Sequence, residues 1–269
     1  MGNYAVIGFP VSHSLSPLIH NANFAAKGRS DEYLAIEVEP DALDAIQETA
    51  SANKLKGFNV TLPHKESIMK HLDEIEADAR NIGAVNTVSI RNGVWRGHNT
   101  DVTGYMNAFH GKFGKSRRKV LIIGAGGAAK AVHRAHANIG DDVTIAARRS
   151  TAMEGFITTD FSFTLLPELT GQEAFDVIIN STPVGLANED LVEVLDLPQG
   201  LFGESTIGVD LIYKPEVTPF LDYFKEANRM NGMPMLIHQA MDAYEIWTGD
   251  KGDYEAVNKK YKEYNGGQS

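Results

Sequence analysis

Apolar and polar residues alternate over short runs in the first hundred positions of this chain, and helical spacing separates the runs. YAVIGFP (4–10) reads as a strand closing on a glycine turn, and SPLIHNANFAAKG (16–28) as a helix with Ser16 as N-cap, Pro17 in its first position and Gly28 beyond its end. EYLAIEV (32–38) predicts a strand, PDALDAIQETASAN (40–53) an amphipathic helix and GFNVTL (57–62) a third strand, which Pro63 stops because it has no donor for a sheet ladder. An acid-rich helix follows, and AVNTVSIRNGVWRG (84–97) predicts a hairpin turning at Arg91, Asn92 and Gly93.

The second half repeats the alternation in another form. KVLIIGAGGAAKAVHRAHANIG (119–140) gives a buried strand, a glycine-rich turn and a helix; DDVTIAARRS gives the next strand, and FDVIINSTPVG (175–185) and STIGVDLIY (205–213) later ones. MPMLIHQAMDAYEIWTG (233–249) has apolar residues at helical spacing, and the tail is a polar helix with a frayed end. The stretch between Arg149 and Phe175 is short for a helix and a third strand, and Ala227 to Gly232 looks cut down. The pattern predicts an α/β protein: an N-terminal α/β substrate domain (1–101 and 233–269) and a Rossmann-like, doubly wound dinucleotide-binding domain (102–232). The C-terminal helices are expected to pack back on the first domain, with a cleft between the two for ligand.

Composition narrows the partners. With 25 Lys and Arg against 35 Asp and Glu, the formal charge of −10 repels a nucleic-acid backbone, so a local positive cluster must hold any anionic ligand. The chain has no cysteine, hence no disulfide and no thiolate chemistry. The apolar start MGNYAVIGFP is too short for a signal sequence or a membrane span, so the expectation is a cytoplasmic protein, monomer or homodimer, acting on a small molecule.

Gly124, Gly126 and Gly127, followed by Ala128 and by Ala129 in the last fingerprint position, sit between a strand and a helix. The first glycine permits the tight turn, the second lets a pyrophosphate approach the backbone, and the helix start offers unpaired N–H groups. About 20 residues past the first glycine an NAD site usually carries an acid for the ribose 2′-hydroxyl. This chain has Ala147, Arg148 and Arg149 there, and two guanidinium groups favour the 2′-phosphate of NADP. Ser14 and Ser16, two apart before a helix, offer hydroxyls to a carboxylate, with plain capping as the rival role. Asn86 and Gln239 are amides suited to ring hydroxyls, or else to buried structural hydrogen bonds. His133 and His136 have a spacing that fits a metal, but no third ligand follows, and the reading is a solvated face with no metal; His64 is expected to face outward. No GxSxG elbow accompanies the serines, so hydrolase chemistry is not indicated.

Eight stretches together resemble the shikimate dehydrogenase family: GFPVSHSLSPLIHN (8–21), GFNVTLPHK (57–65), GAVNT (83–87), GHNTD (97–101), GAGGAAKA (124–131), NSTPVGL (180–186), DLIYKPEVTP (210–219) and GMPMLIHQA (232–240). The resemblance implies reversible, NADP-dependent oxidation of the 3-hydroxyl of shikimate on the route to aromatic amino acids. It assigns Ser14 and Ser16 to the substrate carboxylate with Thr61 and Tyr213, and Asn86 and Gln239 to the substrate; Thr182, Gly232 and Met235 join the cofactor residues. Hydride can leave an alcohol carbon only as the hydroxyl proton departs, and Lys65 with Asp101 looks like the pair that takes it. Departures from the family pattern are Val102 in place of a glycine after the NTD triplet, Ala147 in place of Asn and Arg149 in place of Thr or Ser. The alternatives are a relative preferring quinate or an aminated analogue, and a non-catalytic NADP(H)-binding regulator.

Overall fold

A computed structural model describes residues 2–156 and 160–266 of the chain. The chain forms two compact units, one of residues up to Gly104 together with those from Ile237, the other Tyr105–Leu236.

The first unit is built on a six-stranded mixed sheet. Its strands are β1 (Asn3–Gly8), β2 (Glu32–Glu37), β3 (Leu55–Val60), β4 (Glu74–Ile75), β5 (Thr87–Arg91) and β6 (Val94–His98), in the order β2-β1-β3-β5-β6-β4. β1 lies parallel to β2 and β3, while β5 runs antiparallel to β3 and to β6. Helices α1 (Ser16–Ala26), α2 (Ile46–Ala52) and α3 (Ala77–Ile82) connect the early strands, and α4 (Asp101–Phe113) starts straight after β6. The β5–β6 hairpin turns at Asn92 and Gly93, both at positive φ, as a tight hairpin turn needs.

Two expected helices take other forms. The 40–53 stretch is a 3-10 turn over Pro40–Ala45 that leads into α2. The acid-rich segment is a 3-10 turn (Ser67–His71), the two-residue strand β4 and α3. It breaks because Asp73 and Glu74 are drawn to the sheet edge: Asp73 N–H donates to Trp95 O at 3.0 Å, Trp95 N–H to Asp73 Oδ2 at 2.7 Å, and Arg96 Nε to Glu74 Oε2 at 2.6 Å.

The second unit is a fully parallel sheet of β7 (Lys119–Ile123), β8 (Asp142–Ala147), β9 (Ser162–Leu165), β10 (Val177–Asn180), β11 (Ile207–Asp210) and β12 (Arg229–Met230), ordered β12-β11-β10-β7-β8-β9. Read from the other edge this is the 3-2-1-4-5-6 order of a doubly wound dinucleotide fold, with the topological switch between β7 and β10. α5 (Gly127–Ala137) follows β7 and α6 (Leu191–Val194) follows β10. The short stretch after Arg149 does hold a third strand, β9, and a 3-10 turn over Ser150–Gly155 stands where a helix was expected. Residues 157–159 of that stretch lie outside the described residues. After Ala227 the chain manages only the two residues of β12.

α7 (Met233–Thr248) and α8 (Tyr254–Gly266) end the chain. Within the first unit, Ala243, Tyr244 and Trp247 share a core with Tyr4, Val6, Val11, Phe24 and Tyr33. Burying aromatic side chains of this size contributes roughly 1.5–3 kcal/mol each. Trp247 Nε1 also donates to Val88 O at 3.0 Å, so the indole meets no unpaired polar cost inside that core.

Candidate active site

The sheet of the first unit explains why residues far apart in sequence meet. β1 and β3 are parallel, so both end at the same edge. β5 starts at that edge because it is antiparallel to β3, pairing Thr87 with Asn59, and β6 ends there, pairing His98 with Thr87. The segments leaving β1, β3 and β6 and the one entering β5 therefore converge. They carry Ser14 and Ser16, Thr61 and Lys65, Asp101, and Asn86 respectively.

Lys65 Nζ donates to Asp101 Oδ2 at 2.7 Å, and the two side chains are 17% and 9% exposed. The pair is thus mostly withdrawn from water, where its attraction is stronger than that of a surface ion pair. Asn86 Nδ2 donates to the other carboxylate oxygen, Asp101 Oδ1, at 2.9 Å and to Thr100 Oγ1 at 3.0 Å. Asn86 Oδ1 accepts from Thr100 N–H at 2.8 Å, which fixes the amide's orientation. Asp101 N–H donates to Asn99 Oδ1 at 3.0 Å as α4 begins.

Gln239 reaches the same cluster from α7, its Oε1 accepting from Thr100 Oγ1 at 3.4 Å. The approach depends on Gly104: a Cβ there would lie 2.6 Å from Gln239 N and 2.8 Å from its Cα, so only glycine lets α4 and α7 cross this closely. Val102, in place of a glycine, is buried in the first turn of α4 without displacing Asp101 from Lys65.

Thr61 is half-buried just past β3, its N–H donating to Ile7 O at 2.9 Å. Ser14 is half-buried and Ser16 buried. The cap of α1 differs from expectation by one residue. Leu15 occupies the N-cap, Ser16 opens the helix, and it is Ser14 Oγ that accepts Ser16 N–H at 3.2 Å. Accepting there leaves the Ser14 hydroxyl hydrogen for a further acceptor. Tyr213 belongs to the second unit, half-buried after β11, and burial raises its phenol above the ordinary value.

In the second unit the glycine turn sits at the switch point. Gly124 has φ +109°, and a Cβ there would come within 2.6 Å of Ser181 Oγ, so the residue after β7 must be glycine. Around Gly126, the N-cap of α5, a Cβ would meet nothing within 4 Å. That leaves open space at a helix N-terminus, where the N–H groups from Gly127 and Ala128 onward form the kind of end that suits an anion. Gly124 N–H donates to Ala146 O at 2.9 Å, which places the end of β8 beside the turn. Arg148 and Arg149 are exposed there, and neither guanidinium has an ion-pair partner among the described residues. Open space, helix start and two unpaired cations together fit a 2′-phosphorylated dinucleotide. Thr182 follows β10 with N–H and Oγ1 both donating to Asn180 Oδ1, at 2.9 and 2.8 Å. Gly232 N–H donates to Ile212 O at 3.0 Å, and Met235 is half-buried in the first turn of α7.

Three histidines depart from the sequence reading. His64 is 1% exposed, not outward, because its Nε2–H donates to Val38 O at 2.6 Å. His133 and His136 are 2% and 0% exposed rather than a solvated face. His136 Nδ1–H donates to Asp141 Oδ2 at 2.6 Å, and Tyr105 O–H donates to His136 Nε2 at 2.8 Å, a buried structural triad that accounts for both ring nitrogens. Sequence reasoning also missed Asn59, Thr87 and Thr100 behind the site. Their signal was available in part, since Asn59 is a polar residue inside a strand flanked by Phe58 and Val60 and must find partners there.

Comparison with known proteins meets this geometry. The family model of the shikimate dehydrogenase substrate-binding domain matches residues 6–88, and that of the shikimate 5′-dehydrogenase C-terminal domain matches residues 232–260. The shikimate dehydrogenase (NADP+) of Staphylococcus aureus (strain Newman) is 36% identical over 263 residues, spanning 94% of this chain and 95% of its own. A shikimate dehydrogenase solved in complex with NADP+ has a TM-score of 0.87 at 36% identity, covering 98% of this chain and 96% of its own. The shikimate 5-dehydrogenase of Thermus thermophilus, solved with NADP(H) and shikimate, has a TM-score of 0.86 at 32% identity, covering 98% and 99%. Similarity of that degree along nearly the whole chain, over the same two-unit architecture, leaves one conclusion: the chain belongs to the shikimate dehydrogenase family.

Proposed function

We propose that this protein catalyses the reversible, NADP-dependent oxidation of shikimate to 3-dehydroshikimate, working in the reducing direction in aromatic amino-acid biosynthesis. The observation that carries the reading is the Lys65–Asp101 pair, held at 2.7 Å with Asn86 on the second carboxylate oxygen. When bound, NADP+ supplies the hydride acceptor. The protein must then remove the proton of the 3-hydroxyl as the hydride leaves, and the Lys65–Asp101 pair takes it up; in reduction the pair returns it to the carbonyl oxygen. The two groups act as a unit, so the proton belongs to the pair rather than to either residue.

Substrate recognition falls to neutral donors. Ser14, Ser16 and Thr61, at the shared sheet edge, supply hydroxyls for the shikimate carboxylate; Tyr213, in the second unit, is a phenol donor kept protonated by its burial. Asn86 and Gln239 are the amides beside the ring hydroxyls. Gly124, Gly126, Gly127 and Ala128 seat the pyrophosphate, Arg148 and Arg149 the 2′-phosphate, and Thr182, Gly232 and Met235 border the nicotinamide end.

Steady-state kinetics with shikimate and quinate, each with NADP+ and NAD+, tests the reading. Shikimate with NADP+ should give the highest kcat/KM. A preference for quinate would move the protein to the quinate-oxidising branch, and no turnover with any pair would leave only a nucleotide-binding role.

A further inference from the structure

Behind the Lys65–Asp101 pair lies a run of buried polar side chains that leads from Tyr33, itself hydrogen-bonded to Ser16, to Asn86. Tyr33, Asn59 and Thr87 are 2%, 5% and 0% exposed. Tyr33 O–H donates to Asn59 Oδ1 at 2.6 Å, and Asn59 Nδ2 donates to Thr87 Oγ1 at 2.9 Å and to the main-chain Asn86 O at 3.2 Å. Thr87 Oγ1 in turn donates to Asn86 Oδ1 at 3.0 Å.

Two main-chain groups give this run a single direction. The Asn86 carbonyl can only accept, so Nδ2 of Asn59 must face it and Oδ1 must face Tyr33; Thr100 N–H can only donate, so Oδ1 of Asn86 must face it. With Asn59 donating to it, the one hydrogen of the Thr87 hydroxyl has two acceptors in reach, Asn86 Oδ1 at 3.0 Å and Thr100 Oγ1 at 3.2 Å; the latter already accepts from Asn86 Nδ2, and Asn86 Oδ1 is the nearer. Every donor in the run is therefore aligned toward Asn86, whose own Nδ2 ends on Asp101. In a dry interior such aligned bonds reinforce one another, and an amide tethered by two donors cannot turn away.

We propose that Thr87, backed by Asn59 and Tyr33, is a positioning residue for proton exchange: its hydroxyl locks the Asn86 amide so that Asp101 stays in line with Lys65. The proposal rests on the assignment of proton exchange to that pair. Being fully buried, Thr87 lies behind the pair rather than against substrate, and it reaches the pair through Asn86 and Thr100.

The test compares Thr87→Val, which keeps the shape and removes the hydroxyl, with Thr87→Ser, which keeps the hydroxyl, and with Asp101→Asn. Each full-length variant is assayed with shikimate and NADP+ for kcat and for both KM values. The expectation for T87V is a kcat lower by on the order of 10-fold. The KM for NADP+ should stay unchanged, so that the loss falls on kcat. T87S should recover most of the activity. If T87V lowers the melting temperature but leaves kcat at the wild-type value, or if T87S is as impaired as T87V, the proposal is overturned. Should T87V fail to fold, Thr87→Ala is read in the same way. A crippled D101N beside a normal T87V removes this inference alone, whereas a normal D101N removes the assignment of the pair and this inference with it.

Discussion

Lys65 and Asp101 are 36 positions apart and meet because the ends of β3 and β6 share one sheet edge. The setting of the contact is specific: one carboxylate oxygen faces the ammonium, the other an amide whose orientation main-chain groups dictate. At the same scale, Arg148 and Arg149 stand exposed and without an ion-pair partner among the described residues, beside a turn with room at Gly126. A guanidinium paired to a phosphate contributes about 1.5–3 kcal/mol. Arg148→Ala should therefore raise the KM for NADP+ on the order of 10- to 100-fold and leave that for NAD+ almost unchanged. Equal losses for the two nucleotides would show that Arg148 does not read the 2′-phosphate.

Among the elements, α4 offers an internal control. Gly104 and Gly111 both lie within Asp101–Phe113, yet a Cβ at Gly104 would strike the Gln239 backbone at 2.6 Å whereas one at Gly111 would meet nothing within 4 Å. Helix propensity alone favours alanine at either position by about 1 kcal/mol. Thermal denaturation should show Gly111→Ala stabilised by about that amount, and Gly104→Ala destabilised by about 1–3 kcal/mol because the overpacked crossing outweighs propensity. A stabilised Gly104→Ala would mean the crossing has slack. Much of this scale was legible in sequence. β1, β7 and β8 are apolar runs closed by glycine or arginine, and the Asn92-Gly93 turn names its own hairpin. β4 and β12, of two residues each, are too short to carry a period, and the split of 66–82 follows from Asp73 and Glu74 bonding to Trp95 and Arg96, partners that no local pattern reveals. The same limit hid the run from Tyr33 to Asn86: its members are ordinary strand residues until cross-strand pairing brings Asn59 and Thr87 opposite each other. That Lys65 and Asp101 meet was expected from the sequence, because chemistry and family resemblance both paired them.

Over the whole molecule, buried histidines link stability to pH. His20 is fully buried with its ring stacked on Tyr33 at 4.1 Å, and burial pushes it down to about 3 from an ordinary value of 6.5. His98 and His238, in the same unit, are lowered by burial as well. A histidine held neutral by the fold contributes stability that is whole above pH 6.5 and is lost as pH falls toward 3, since the unfolded chain takes up the proton first. The loss for His20 is at most ~1.4 kcal/mol per pH unit in that window. Both tryptophans, Trp95 and Trp247, lie in this unit, so urea unfolding followed by tryptophan fluorescence reads it directly. Between pH 7 and 5, His20→Phe should lose less stability than the wild type; parallel curves would show that His20 is not the linked group. Among the described residues no helix is long and apolar enough to cross a membrane. The account as a whole stands on proton exchange by Lys65 and Asp101, and single-turnover oxidation of shikimate by Lys65→Ala, followed by NADPH absorbance, tests it most directly. The variant should fold and bind NADP+ as the wild type does, with the rate of oxidation reduced on the order of 10²- to 10⁴-fold. A rate within a few-fold of the wild type would contradict the account.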